Sequence, residues 1–166
     1  MAERTLWYAA WTGDVRLTLE MLQDGADPDT SAAGGKTPLM EAVDEPGESF
    51  DASREAVAVA LLAGGADVTA RDELGRTALH YAGRASSRAA ELLLGAGADA
   101  RSGADDGTTP LHVSAAENNV DVARALIGAG ADPTARNGDG LTPLDVARRE
   151  HDLTELRLLT FLLEGG

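Results

Sequence analysis

Apolar residues recur along this chain at helical rather than strand spacing. The clearest stripe is Val122, Ala123, Leu126 and Ile127. Its i, i+1, i+4, i+5 spacing is the apolar face of an amphipathic helix. Ahead of it, Gly107-Thr108-Thr109-Pro110-Leu111-His112 opens another helix. Thr109 is a good N-cap, and Pro110 fits the first turn, where a missing N–H costs nothing. Gly128 and Gly130 supply the stop, because glycine takes the left-handed cap conformation without a Cβ clash. The stretch predicts helix, short turn, helix and a glycine-rich exit.

The same frame returns along the chain. Gly-x-Thr-(Pro)-Leu occurs at 35–39, 75–79, 107–111 and 140–144, and Gly-Ala-Asp at 25–27, 65–67, 97–99 and 130–132. Leu6, Leu39, Leu79, Leu111 and Leu144 are equivalent positions, so the period is roughly 33 residues with local slippage. From that leucine to the end of the second apolar pair, Leu6–Leu22 and Leu111–Ile127 have equal spacing. Leu79–Leu94 is one residue shorter, Leu39–Leu62 seven longer and Leu144–Leu163 three longer. All the variation falls between the two helices of a unit, where a turn absorbs it.

Thr-Pro-Leu-His at 109–112, the trailing Gly-Ala-Asp-Pro and the period resemble ankyrin repeats. The resemblance implies an all-α solenoid of stacked helix-turn-helix units with short β-hairpin-like fingers. It divides one domain, 1–166, into units at about 2–31, 32–71, 72–103, 104–136 and 137–166. It also implies a non-enzymatic module that binds a partner protein on a concave surface of fingers and inner helices. The candidate surface is Trp11, Glu73, Leu74, Arg76, Arg84, Asp105, Asp106, Thr108, Glu117, Asp139, Leu141, Arg149 and Glu150. Trp11 stands where the family varies and faces the groove. It either seals the end of the stack together with Trp7 or serves as an aromatic anchor. The resemblance makes His80 and His112 structural ties to the neighbouring unit, and Thr37, Thr77, Thr109 and Thr142 structural members of the repeated motif. Trp7, Met40 and Asp145 fill the histidine slot elsewhere, so those junctions must be tied differently.

The insertion around Glu45–Asp51 is acidic with one aromatic, and Glu48, Phe50 and Asp51 are candidate contacts if it is a binding element rather than drift. Ser53 or Asp51 caps the helix that follows, Arg54 to Leu62. In the last unit, Leu158, Leu159, Leu162 and Leu163 match core positions, leaving Leu156 and Phe161 to pack under the extended first helix or to self-associate.

Charge narrows the partners. A formal net charge of −14 repels phosphate backbones, which are bound through clustered Lys and Arg, so neither nucleic acid nor an anionic membrane is expected. A basic protein is the electrostatic complement. An acidic inhibitor or immunity-type protein that neutralises a basic enzyme or toxin is the narrower alternative. Arginine outnumbers lysine thirteen to one, which with the alanine and glycine load points to a GC-rich bacterial coding sequence. Cysteine is absent, which excludes disulfides and thiolate chemistry. The N-terminus has no signal-peptide pattern, and no run reaches the roughly 18 apolar residues of a membrane span. A cytoplasmic monomer is expected.

No nucleophile–base–orienter grouping, phosphate loop or His-Glu-x-x-His occurs. Acid pairs such as Asp105-Asp106 lack the ligand number of a dedicated cation site. Neither metal nor cofactor is expected. Each Gly-Ala-Asp aspartate reads as a turn residue accepting backbone N–H groups.

Overall fold

The computed structural model describes residues 5–44, 51–151 and 157–164. Glu48, Phe50 and Leu156 lie outside the described residues, as do the side chains of Leu158 and Phe161. The described residues form helix pairs: α1 (Leu6–Thr12) with α2 (Val15–Gln23), α3 (Pro38–Val43) with α4 (Ala52–Ala63), and α5 (Ala78–Ala82) with α6 (Ser87–Gly95). Then come α7 (Pro110–Ala116) with α8 (Val120–Gly128), and α9 (Pro143–Glu150) with α10 (Arg157–Leu163). The inner helices α1, α3, α5, α7 and α9 stack in a row, and the outer helices lie behind them, α2 on α4, α6 on α8 and α8 on α10. The Arg88–Glu55 ion pair links α6 to α4 across the outer side.

Local chemistry explains the boundaries. Thr5, Thr37 and Thr142 accept from the backbone N–H of Tyr8, Met40 and Asp145 at the start of inner helices. Asp14, Asp51, Ser86 and Asn119 cap the outer ones. Asp51 thus carries the capping role foreseen for it or Ser53, but α4 begins at Ala52, ahead of Arg54. Gly128 is the last helical residue rather than part of the stop. Ala129 is the C-cap, and Gly130 takes the left-handed conformation at φ 93°. In the two equal-length units the inner-to-outer turn needs a left-handed residue at the same place. Gly13 (φ 68°) and Asn118 (φ 50°) fill it, Asn being the ordinary side chain best able to adopt that conformation.

The core is one continuous cluster along the stack, with Leu39, Leu61, Leu79, Leu93, Leu111, Leu126 and Leu159 fully buried. Each such leucine contributes about 1.5–3 kcal/mol relative to exposure. Ala9, Ala10, Ala82 and Ala115 are also fully buried and let the inner helices approach closely. A helix pair this small cannot bury its apolar face alone, so the core exists only between neighbours. Of the leucines expected in the core of the last unit, Leu159 and Leu163 are buried and Leu162 packs against the core. No described helix is long and apolar enough to cross a membrane.

Candidate functional site

The chain turns back between helix pairs in finger-like loops that close alike. Ala32, Asp72, Ala104 and Asn137 donate their N–H to the carbonyls of Lys36, Arg76, Thr108 and Leu141 at 2.8–3.0 Å. Among the described residues these fingers make hairpin-like turns and contain no strand. They also bond to one another: Glu73 N–H to the Gly34 carbonyl (2.9 Å), Asp105 N–H to Leu74 (3.0 Å), and Gly138 N–H to Asp106 (2.6 Å). Approach this close leaves no room for a side chain at Gly35, where a Cβ would sit 2.9 Å from the backbone nitrogen of Glu73.

Behind the fingers the inner helices are tied by histidine. Thr77 donates its N–H to Nδ1 of His80 (3.0 Å), which leaves Nε2 to carry the proton and donate to the Thr108 carbonyl of the next unit (3.0 Å). His112 repeats this between Thr109 N–H (3.2 Å) and the Leu141 carbonyl (2.9 Å). Burial holds both imidazoles below their ordinary value, against the opposing effect of those carbonyls. At two of the three slots without histidine the local half of the motif survives: Met40 Sδ and Asp145 Oδ2 accept from the N–H of Thr37 and Thr142. His151 adds a contact from the end of α9 to the Ala116 carbonyl (2.6 Å). At the far side of the loops Asp27, Asp67, Asp99 and Asp132 each accept the N–H two residues on, at 2.8–3.0 Å.

Between the second and third helix pairs lies a polar network that sequence reasoning did not anticipate. The Asp72 carboxylate, buried, accepts from Leu74 N–H (2.9 Å), Arg76 N–H (2.8 Å), Arg76 Nε (2.8 Å) and the Tyr81 hydroxyl (2.6 Å). Burial would raise its pKa, but these donors, Tyr81 first among them, outweigh it and hold the group below its ordinary value. Burial and that hydrogen bond push the Tyr81 phenol well up. The ring of Tyr81 has Lys36 Nζ at 4.9 Å and Arg76 Cζ at 4.8 Å from its centroid, both within cation–π range. Lys36, the chain's only lysine, also bridges Glu41 (2.5 Å) and Asp44 (2.6 Å). Asp44 in turn holds Arg84 of the next unit. We expect Tyr81→Phe to cost about 1.5–3 kcal/mol, the range for a hydrogen bond to a charged group. Urea unfolding should show the loss, and carboxyl chemical shifts should show Asp72 titrating at higher pH.

The candidate residues fall into groups. Leu74, Arg76, Asp105, Asp106 and Thr108 come together around a hollow of about 360 Å³ floored by His80, Ala104 and Val113. Leu74 is 59% exposed, and Asp105 and Asp106 stand exposed on the adjoining finger. Arg84 and Glu117 border a separate polar hollow with Ser86, Asn119 and Asp121. Trp11, 51% exposed, belongs to neither; it stacks on Trp7 at 6.4 Å between centroids, with Tyr8 tilted against it. Asp139, Arg149 and Glu150 are exposed in the last unit, and Leu141 is half-buried beside its tied carbonyl. Arg76 and Arg84 are already engaged inside the chain. Sequence reasoning missed Lys36, Glu41, Asp44 and Tyr81; the solitary lysine was the one signal available.

The stacked helix pairs, the fingers and the Thr–His ties agree with the comparisons. The family model for ankyrin repeats (three copies) matches residues 6–102, 49–137 and 85–165. The chain belongs to the ankyrin-repeat family, whose members are protein–protein interaction modules. Over 137 residues it is also 38% identical to the neurogenic locus Notch protein of Drosophila melanogaster, a match covering 73% of this chain and 5% of that protein. The chain thus spans a small fraction of the length of this curated relative.

Proposed function

We propose that this chain grips a partner protein with the surface made by its fingers and inner helices, as one domain of five stacked units. The observation that carries the reading is the hollow beside Leu74. Its wall is apolar, its rim holds Asp105 and Asp106, and its largest apolar side chain stands in solvent. An apolar partner side chain flanked by a cation fits such a site, since anchors of this kind carry most of an interface's energy. Trp11 supplies a second apolar contact at the end of the row. Catalysis has no part in this reading.

The test is capture from a lysate of the source organism by the wild type and by a Trp11→Ala/Leu74→Ala variant that retains its helical circular dichroism. A partner held by the wild type and released by the variant supports the proposal. Equal capture moves the site off the fingers and defeats it.

A second reading, an acidic protein neutralising a basic enzyme, is favoured by the −14 charge. Several of the cations are spent on internal ion pairs, among them Arg16, Lys36, Arg76, Arg84 and Arg88. It requires association with the captured partner to slow steeply as salt rises, and a salt-insensitive on-rate rules it out.

A further inference from the structure

The outer helices carry a surface that the finger-side reading does not use. On four of them the buried pair facing the core is in register: Leu17-Thr18, Val57-Ala58, Ala89-Ala90 and Val122-Ala123. Two residues beyond the first member of each pair the side chain is exposed on every helix. There α6 and α8 carry Glu91 and Arg124, as a solvated face should. On α2 and α4 the same position holds Leu19, 45% exposed, and Val59, 46% exposed. With Val15, Ala56 and Ala63 they line an apolar trough of about 540 Å³ between the two helices. Single exposed leucines are ordinary. Two large apolar residues side by side, at a position the chain's own later units make charged, form a patch that calls for a cover.

Charge selects the cover. Exposed Asp14 and Asp51 stand at the N-terminal ends of α2 and α4, and exposed Asp24 at the C-terminal end of α2. The nearer cations are engaged within the chain: Arg16 pairs with Glu20, Arg88 with Glu55, and Arg54 turns its guanidinium to the carbonyls of Trp11 and Glu41. The trough is therefore apolar except for Glu55, which Arg88 pairs, and acidic at both ends, on a chain of net charge −14. A second copy would bring the same acids to the same ends and repel. The dimensions fit a helix: α4, at 12 residues, runs about 18 Å, some three turns.

We propose that the α2–α4 trough docks an amphipathic helix of a partner protein, with one apolar stripe and lysine or arginine at both ends. This is helix-in-groove recognition on the outer row, and it does not depend on the finger surface.

The probe is a fluorescein-labelled peptide of about three to four helical turns, leucine along one face and lysine elsewhere. A scrambled peptide and one with glutamate for each lysine accompany it, all read by anisotropy. The wild type should bind the leucine–lysine peptide, with amide shifts on α2 and α4. Leu19→Glu/Val59→Arg borrows the kinds of side chain that α6 and α8 tolerate at this position. It should keep its melting curve and bind roughly tenfold or more weakly, as loss of two apolar contacts requires. The glutamate peptide should be weaker by a similar factor. Equal binding to that variant, equal binding of the glutamate or scrambled peptide, or no binding by the wild type overturns the proposal. So does a wild-type dimer in sedimentation that Leu19→Glu/Val59→Arg abolishes, which would make a second copy the cover. Trp11→Ala/Leu74→Ala should bind the peptide as the wild type does; loss there would mean that the peptide sits on the fingers. Failure of the finger reading leaves this result untouched.

Discussion

Leu126→Ala is expected to lower the unfolding free energy by about 2–5 kcal/mol. Leu126 is fully buried on α8, within the core that runs between neighbouring helix pairs. Truncating it removes transfer free energy and leaves a cavity that the flanking helices fill only in part. The solenoid magnifies the consequence. Each unit is stable only through its neighbours, so weakening the fourth also undercuts the fifth. The matched control is Leu74→Ala, which alters an exposed finger tip and should cost no more than about 0.5 kcal/mol. Urea melts of the two variants decide the matter. Equal losses would mean that the packing register described above is wrong.

His112→Ala carries the other large effect, about 2–4 kcal/mol, because it orphans a buried backbone N–H and a part-buried carbonyl at once. Thr109 loses the acceptor for its N–H, and the Leu141 carbonyl loses a donor from the preceding unit. The same bonds give stability a pH dependence of fixed sign. The ordinary histidine value is 6.5, and burial depresses both His80 and His112 below it in the folded chain. Below 6.5 the unfolded chain therefore binds protons that the folded chain resists. The stability these two residues supply is present above that pH and is lost as pH falls through the interval beneath it. The hydrogen-bonded carboxylates of Asp67, Asp72, Asp106, Asp132 and Asp145 lie below 3.8. Their share is thus lost only at more acid pH. Urea midpoints should fall between pH 7 and pH 5, and His80→Gln/His112→Gln should flatten that slope. A midpoint independent of pH in this range would refute the account.

Much of this architecture was legible because it rests on local chemistry repeated in register. The apolar stripe at Val122–Ile127, the Thr-Pro openings and the Gly-Ala-Asp turns each depend on residues within a few positions of one another. Their periodicity placed the helix pairs without any tertiary information. Helix edges were less legible. Gly128 and Gly130 look equally able to stop α8, and backbone conformation alone separates them. Least legible was the use made of the cations. Arg84 reads as a surface residue until the fold brings Asp44, forty positions earlier, beside it. Arg76 likewise reads as a free finger residue, whereas Asp72 and Tyr81 hold it in place. The first pairing joins units through side chains far apart in sequence, the second is local, and no period reveals either. The hollow at Leu74 was half visible. Its rim was legible in the finger residues, whereas the hollow itself forms only when Leu74, Arg76 and His80 of one unit meet Ala104 and Val113 of the next.

The bond that passes from each finger to the next gives the row a mechanical character. Opening one such joint costs on the order of 1 kcal/mol, little beside the apolar contacts that hold the helices behind it. The fingers are therefore links of a jointed strap laid over a stiffer spine. A bulky partner can spread two neighbouring links while the spine keeps its packing. The His80 and His112 ties, reaching the carbonyls of Thr108 and Leu141, clamp the roots of the last two fingers. The strap is stiffest toward its C-terminal end, and its give lies at the first two links, which neither histidine clamps.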